Sequence, residues 1–217
     1  MAWLRANWFL VIAHAGACLP LIVLAWDVTR GNLSVNPIQD ITFRTGKFAL
    51  LMLMLSLACT PVHTVTGFRP ALRMRKWFGL YAFLYAALHF LVFSVLDFGL
   101  DWGLIQREIV EKRYILAGLA ALLILIPLAI TSTKGWQRRL GKTWKRLHRF
   151  VYLAGALVIL HYVWLVKADV REPLVWGGAL AVLLILRIPR VRAFFSNARQ
   201  RAVAARASRP MKPHQPV

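Results

Sequence analysis

The chain has 217 residues, 59% of them hydrophobic, and a formal net charge of +20 at neutral pH. Its mean hydropathy of +0.58 is far above that of a water-soluble domain, so its apolar runs read as membrane spans rather than as a buried core. Two cysteines, Cys18 and Cys59, build neither a disulfide framework nor a metal-ligand spacing and read as small apolar fillers.

Six stretches approach the roughly 20 apolar residues that a helix needs to cross a bilayer: residues 8–26, 47–65, 77–97, 114–131, 148–167 and 173–188. The first follows Arg5 and is as long as a full span, which suits an uncleaved anchor better than a cleaved signal. It carries His14. The second is the weakest, because Pro61 and His63 fall at its end. The third holds His89 inside LYAALHFLVFSVL, and the fourth is entirely apolar. A basic loop, KGWQRRLGKTWKRLHR, leads into the fifth, which has His148 at its mouth and His161 inside LAGALVILHYVWLV. The sixth is barely long enough. Residues 1–195 therefore form one membrane domain. Residues 196–217, rich in Ala, Arg and Pro with little to bury, read as a disordered basic tail containing His214.

Charge placement tests this threading. With six spans, one face collects the N-terminus, residues 66–76, residues 132–149 and everything after 186, which together hold 20 of the 28 Lys and Arg residues and no acid. The opposite face holds the other eight bases and all eight acids. The positive-inside rule then puts both termini in the cytoplasm. Anionic lipid headgroups explain the net charge better than nucleic acid does. Trp8, Trp26, Trp77, Trp144, Trp164 and Trp176 fall near span ends, as an interfacial belt requires.

The histidines carry the chemistry. An ionisable ring inside hydrocarbon needs a partner, and His89 and His161 lie on spans that run in the same direction. Each is roughly 18–20 Å from the cytoplasmic end by helix rise. Equal depth on two helices suits axial ligation of one haem iron, and Ala82, Ala86, Ala154, Gly155 and Ala156 would leave space for a flat macrocycle. Simple hydrogen bonding of each ring to a neighbouring helix is the alternative. His148 reads either as an interfacial polar residue or as ligand to a second haem. For that haem the third span offers no histidine at the matching depth, only Arg75 and Lys76, which leaves His14 or His63 as partner. The basic loop either sets topology or binds an acidic redox donor, a flavin phosphate or haem propionates. No glycine-rich phosphate loop or dinucleotide fingerprint occurs, so electrons would have to arrive from another molecule. A proton channel or transporter is disfavoured because all eight acids fall at or outside the membrane boundaries.

TSTKGWQRRLGKTWKRLHRFVYLAGALVILHYVWLVK, with NPIQDITFRTGKFAL and FGLYAFLYAALHF, resembles the signature regions of the MsrQ family, formerly YedZ, within the wider ferric-reductase-like transmembrane group. The resemblance covers about residues 8–190. It implies an all-α, six-helix, ferric-reductase-like bundle in the bacterial inner membrane. It implies one or two b-type haems, with His89, His148 and His161 matching the family's haem histidines, and FMN at no residue that can be placed. His14 also matches a family position and is the candidate second-haem partner, whereas relatives have other residues near position 63. The implied role is an electron-transfer subunit, not itself catalytic. It would draw on the quinone pool or a cytosolic flavin reductase and pair as a heterodimer with MsrP, a periplasmic molybdopterin enzyme that reduces methionine sulfoxide in oxidised proteins. A stand-alone ferric or quinone reductase is the alternative.

Overall fold

The computed structural model describes residues 2–166 and 168–207. Among the described residues there is no strand. The helices are α1 (Ala2–Arg30), α2 (Pro37–Thr66), α3 (Arg69–Leu91, running on as a π-helical stretch Val92–Asp97), α4 (Trp102–Glu111), α5 (Arg113–Ile130), α6 (Lys134–Leu140), α7 (Lys142–Leu147), α8 (Val151–Leu165), α9 (Arg171–Ile185) and α10 (Pro189–Ala207). This is a multi-pass membrane architecture. Five segments are long and apolar enough to cross a bilayer by themselves: Asn7–Arg30, Pro37–Thr66, Arg69–Asp97, Arg113–Ile130 and Lys142–Leu165. The sixth run is shorter than expected. Arg171–Ile185 has 15 residues, and the chain then turns by 73° into Pro189–Arg201.

Helix α2 is the spine of the bundle, not its weakest span. Its start is written into the sequence, since the Asn36 side chain accepts from the Gln39 N–H at 3.2 Å and Pro37 follows in the first turn. Its stop is Gly67, at φ 79°, whose N–H returns to the His63 carbonyl at 2.9 Å. Between them the helix runs straight through Pro61. Proline has no N–H, so the Leu57 carbonyl one turn earlier loses its helical donor. Arg187, at the turn after α9, supplies the replacement: one guanidinium nitrogen donates to the Leu57 carbonyl at 2.6 Å and the other to the Tyr152 hydroxyl at 2.8 Å.

Helix α2 packs along α3, α5 packs along α8, and α9 closes against α8. The core lies where these meet, with Leu53 and Leu57 of α2, Met74 and Tyr85 of α3, Leu125 of α5 and Ala154 of α8 buried together. Helix α1 stands on the outside and is joined through the Tyr85 hydroxyl, which donates to the Ala17 carbonyl at 2.7 Å. One end of the bundle is held by ion pairs. Arg44 meets Asp27 at 2.5 Å and Asp40 at 2.9 Å, and Lys47 of α2 meets Glu172 of α9 at 3.0 Å. These pairs are partly exposed and each stabilises modestly, but they tie α1, α2 and α9 at the end where the acids were expected.

Residues 196–207 continue α10, because Ala and Arg are good helix formers and Arg199 donates to the carbonyls of His63 and Thr64 at 2.8 and 3.2 Å. The expectation for residues 208–217, His214 included, lies outside the described residues.

The Pro61–Arg187 pairing is testable as a cycle. Arg187→Met should destabilise the protein by about 2 kcal/mol, the cost of a buried carbonyl left without its charged donor. Pro61→Ala restores an N–H at that carbonyl, so the double variant should recover part of the loss. Thermal unfolding in detergent of the four proteins checks this, and additive effects would show that the two residues are uncoupled.

Candidate functional site

His89 lies near the end of α3 and His161 near the end of α8, so both sit in the half of the bundle that carries the ion pairs. An imidazole N–H in apolar surroundings needs an acceptor. Each ring finds one on a neighbouring helix: His89 Nδ1 donates to the Thr42 carbonyl of α2 at 2.9 Å, and His161 Nδ1 to the Tyr114 carbonyl of α5 at 2.6 Å. A carbonyl can only accept, so Nδ1 holds the proton in both rings. In the neutral ring the lone pair is then on Nε2.

The two ring centroids are 6.1 Å apart, with planes at 88°. Two lone-pair nitrogens cannot hydrogen-bond each other, but both can donate to one electrophile. Metal–imidazole bonds of about 2 Å on opposite sides of one ion place ring centroids roughly 6 Å apart, which matches the pair. Among the described residues no group of three His, Cys, Asp or Glu side chains gathers around a common point. A protein-only tetrahedral site therefore lacks ligands. A metal already held by four in-plane nitrogens needs only two axial donors, and haem iron is such a metal. Of the small residues nearby, Ala82 and Ala154 are buried. Gly155 serves another purpose from the one expected, since a Cβ there would lie 3.4 Å from Leu180 of α9.

The third expected ligand is elsewhere. His148 opens a 3₁₀ turn before α8 and lines a cavity of about 450 Å³ at the opposite end of the bundle. Leu53, Leu57, Leu125 and Leu128 form its apolar wall, while Arg75, Lys76, Lys145, Arg149 and Arg187 line it with positive charge and no acid does. His148 stacks on Trp144 with centroids 4.0 Å apart, and its Nδ1 donates to the Trp144 carbonyl at 3.2 Å. Trp144 is held in turn by its indole N–H on the Thr131 carbonyl at 2.9 Å. That leaves His148 Nε2 buried without a hydrogen-bond partner, as is Arg187 Nε. Lys76 and His89, both on α3, are 13 residues apart, or about 20 Å by helix rise. The histidine pair and the basic cavity are thus separate places, one towards each end of the bundle.

His14 and His63 lie apart from the His89–His161 pair and from the lining of the cavity. His14 shares a hydrogen bond with the Tyr81 hydroxyl at 2.9 Å and meets the Trp77 ring edge-on at 5.0 Å. Neither residue lines the cavity of His148. Sequence reasoning missed Arg187 and Trp144 as cavity residues. The available signal for Arg187 was a single cation closing the sixth apolar run.

Residues 14–160 match the family model described as ferric reductase like transmembrane component. The chain is 45% identical over 183 residues to a protein of Xanthomonas euvesicatoria pv. vesicatoria named protein-methionine-sulfoxide reductase heme-binding subunit MsrQ, covering 82% of this chain and 84% of that one. A Rhodospirillum rubrum protein of the same name is 48% identical over 184 residues, covering 83% of this chain and 88% of its own. No solved structure matches the chain.

Proposed function

We propose a function that starts from membership: this chain belongs to the ferric reductase like transmembrane family and, within it, to the MsrQ group. Its role is to carry electrons across a membrane for a separate methionine sulfoxide reductase. The observation that carries this reading is the His89–His161 pair, with both Nδ1–H groups committed to carbonyls and the rings 6.1 Å apart.

A b-type haem bound there supplies one-electron chemistry. His89 and His161 would hold it, and the Thr42 and Tyr114 carbonyls, by accepting from Nδ1, would keep each Nε2 free for the iron. His148 would hold a second haem in the basic cavity, where Arg75, Lys76, Arg149 and Arg187 suit its propionates. The same cations suit a flavin phosphate, so FMN is the other ligand of matching chemistry for that cavity. Electrons arrive from the quinone pool or a cytosolic flavin reductase, because the chain has no dinucleotide fingerprint of its own. They leave to a periplasmic molybdopterin partner, MsrP. The membrane is the bacterial inner membrane. By the positive-inside rule the cavity end is cytoplasmic and the His89–His161 end lies towards the periplasm. Proton relay is not favoured, because Asp27 and Asp40 are engaged by Arg44.

His89→Ala and His161→Ala are each expected to abolish the low-spin haem spectrum of the purified protein, since either deletion opens one axial face. A wild-type spectrum and haem content in both variants would overturn the assignment. His148→Ala is expected to keep that spectrum and to slow reduction from the cytoplasmic side by roughly tenfold or more. Stopped-flow reduction of proteoliposomes at an unchanged rate would remove the cavity from the electron path.

A further inference from the structure

A helix hides its own carbonyls. The side chain at position i+4 leans back towards the N-terminus, over the carbonyl of residue i. A bulky ring from another helix approaches that carbonyl most closely where i+4 is very small. Four residues after Thr42 stands Gly46, and four after Tyr114 stands Gly118. A Cβ on Gly46 would lie 3.1 Å from Cε1 and Nδ1 of His89. On Gly118 it would lie 2.8 Å from Nδ1 and 3.0 Å from Cε1 of His161. Each imidazole therefore lies in a notch made by a missing side chain.

The two notches are built alike. Each His-to-carbonyl bond spans 47 residues. The histidines, the carbonyls and the glycines are each 72 positions apart (89 to 161, 42 to 114, 46 to 118). The same offset places Ala49, Leu50 and Leu51 on Ala121, Leu122 and Leu123, and Ala82 on Ala154. The hairpins α2–α3 and α5–α8 repeat one device: a helix that offers a glycine notch beside a free carbonyl lone pair, and a helix that lays a histidine into it.

We infer that Gly46 and Gly118 are positioning residues for the axial histidines, each exposing the carbonyl lone pair that fixes the tautomer and aim of its imidazole. The inference rests on the haem reading of the pair. A methyl group at either position pushes the ring off its carbonyl, and the metal bond has to follow or lengthen. The closer approach at Gly118 makes that position the more sensitive.

The full-length variants Gly118→Ala and Gly46→Ala test this, with Gly178→Ala as control because nothing lies within 4 Å of a Cβ there. Haem content by pyridine haemochrome, low-spin g values by electron paramagnetic resonance and the midpoint potential by optical titration are read for each. Gly178→Ala should match the wild type. Gly118→Ala should bind haem about ten- to a hundredfold more weakly, the usual cost of a lost supporting hydrogen bond, with shifted g values in the haem that remains. Gly46→Ala should shift the same signals less, and it decides alone if Gly118→Ala does not accumulate. Unchanged g values and midpoint in the glycine variants would overturn the inference and leave the haem assignment standing. Absence of low-spin haem from the wild type would instead remove the haem reading beneath it.

Discussion

A ring N–H inside hydrocarbon has to be received, and in this bundle the receiver is the backbone of another helix. That requirement decides which helices lie side by side: α3 against α2 for His89, and α8 against α5 for His161. It also decides the depth of each ring, because the accepting carbonyls lie within the first two turns of their helices. With both Nδ1 protons placed, the unshared electrons of both rings are left on Nε2, at a separation that one metal ion can bridge. The chemistry of the pair is therefore a by-product of satisfying its hydrogen bonds.

The same rule runs through the other polar groups of the interior, and each instance joins two elements. Tyr85 reaches the carbonyl of Ala17, Ser56 that of Arg75 at 2.8 Å, and Arg187 that of Leu57. Without hydrophobic segregation to drive helix against helix, such bonds and close small-residue contacts specify packing in a bilayer. The two ends of the bundle then differ in kind. At one end opposite charges meet and cancel, Arg44 with Asp27 and Asp40 and Lys47 with Glu172. At the other, five cations surround an apolar-walled cavity with no acid to answer them. Such an uncompensated cluster suits a flat, largely apolar ligand with anionic arms, and His148 stands in its wall.

Much of this was legible in the residues. Apolar run lengths pointed to a multi-pass helical bundle, since a span has to keep charge out of lipid, and five of the six runs are long enough to cross by themselves. His89 and His161 were conspicuous because a titratable ring interrupts an otherwise apolar stretch. Less legible was α2, whose Pro61 looked like a terminus. The carbonyl that Pro61 leaves free, that of Leu57, is met by Arg187, 130 residues after Leu57 in the chain. Helix α10 likewise leans on a distant element, since Arg199 donates to carbonyls at the end of α2.

By itself, then, the sequence determined a membrane bundle with a basic and an acidic face and two buried histidines at matching depth, because these rest on hydropathy, charge and helix rise. Only the tertiary structure decided that the His89 and His161 rings lie 6.1 Å apart while His148 lines a cavity at the other end and His14 pairs with Tyr81. The physical reason is that the partners involved are backbone carbonyls and missing side chains. Any residue can supply a carbonyl, so Thr42 and Tyr114 carry no mark of their task until the helices are packed together.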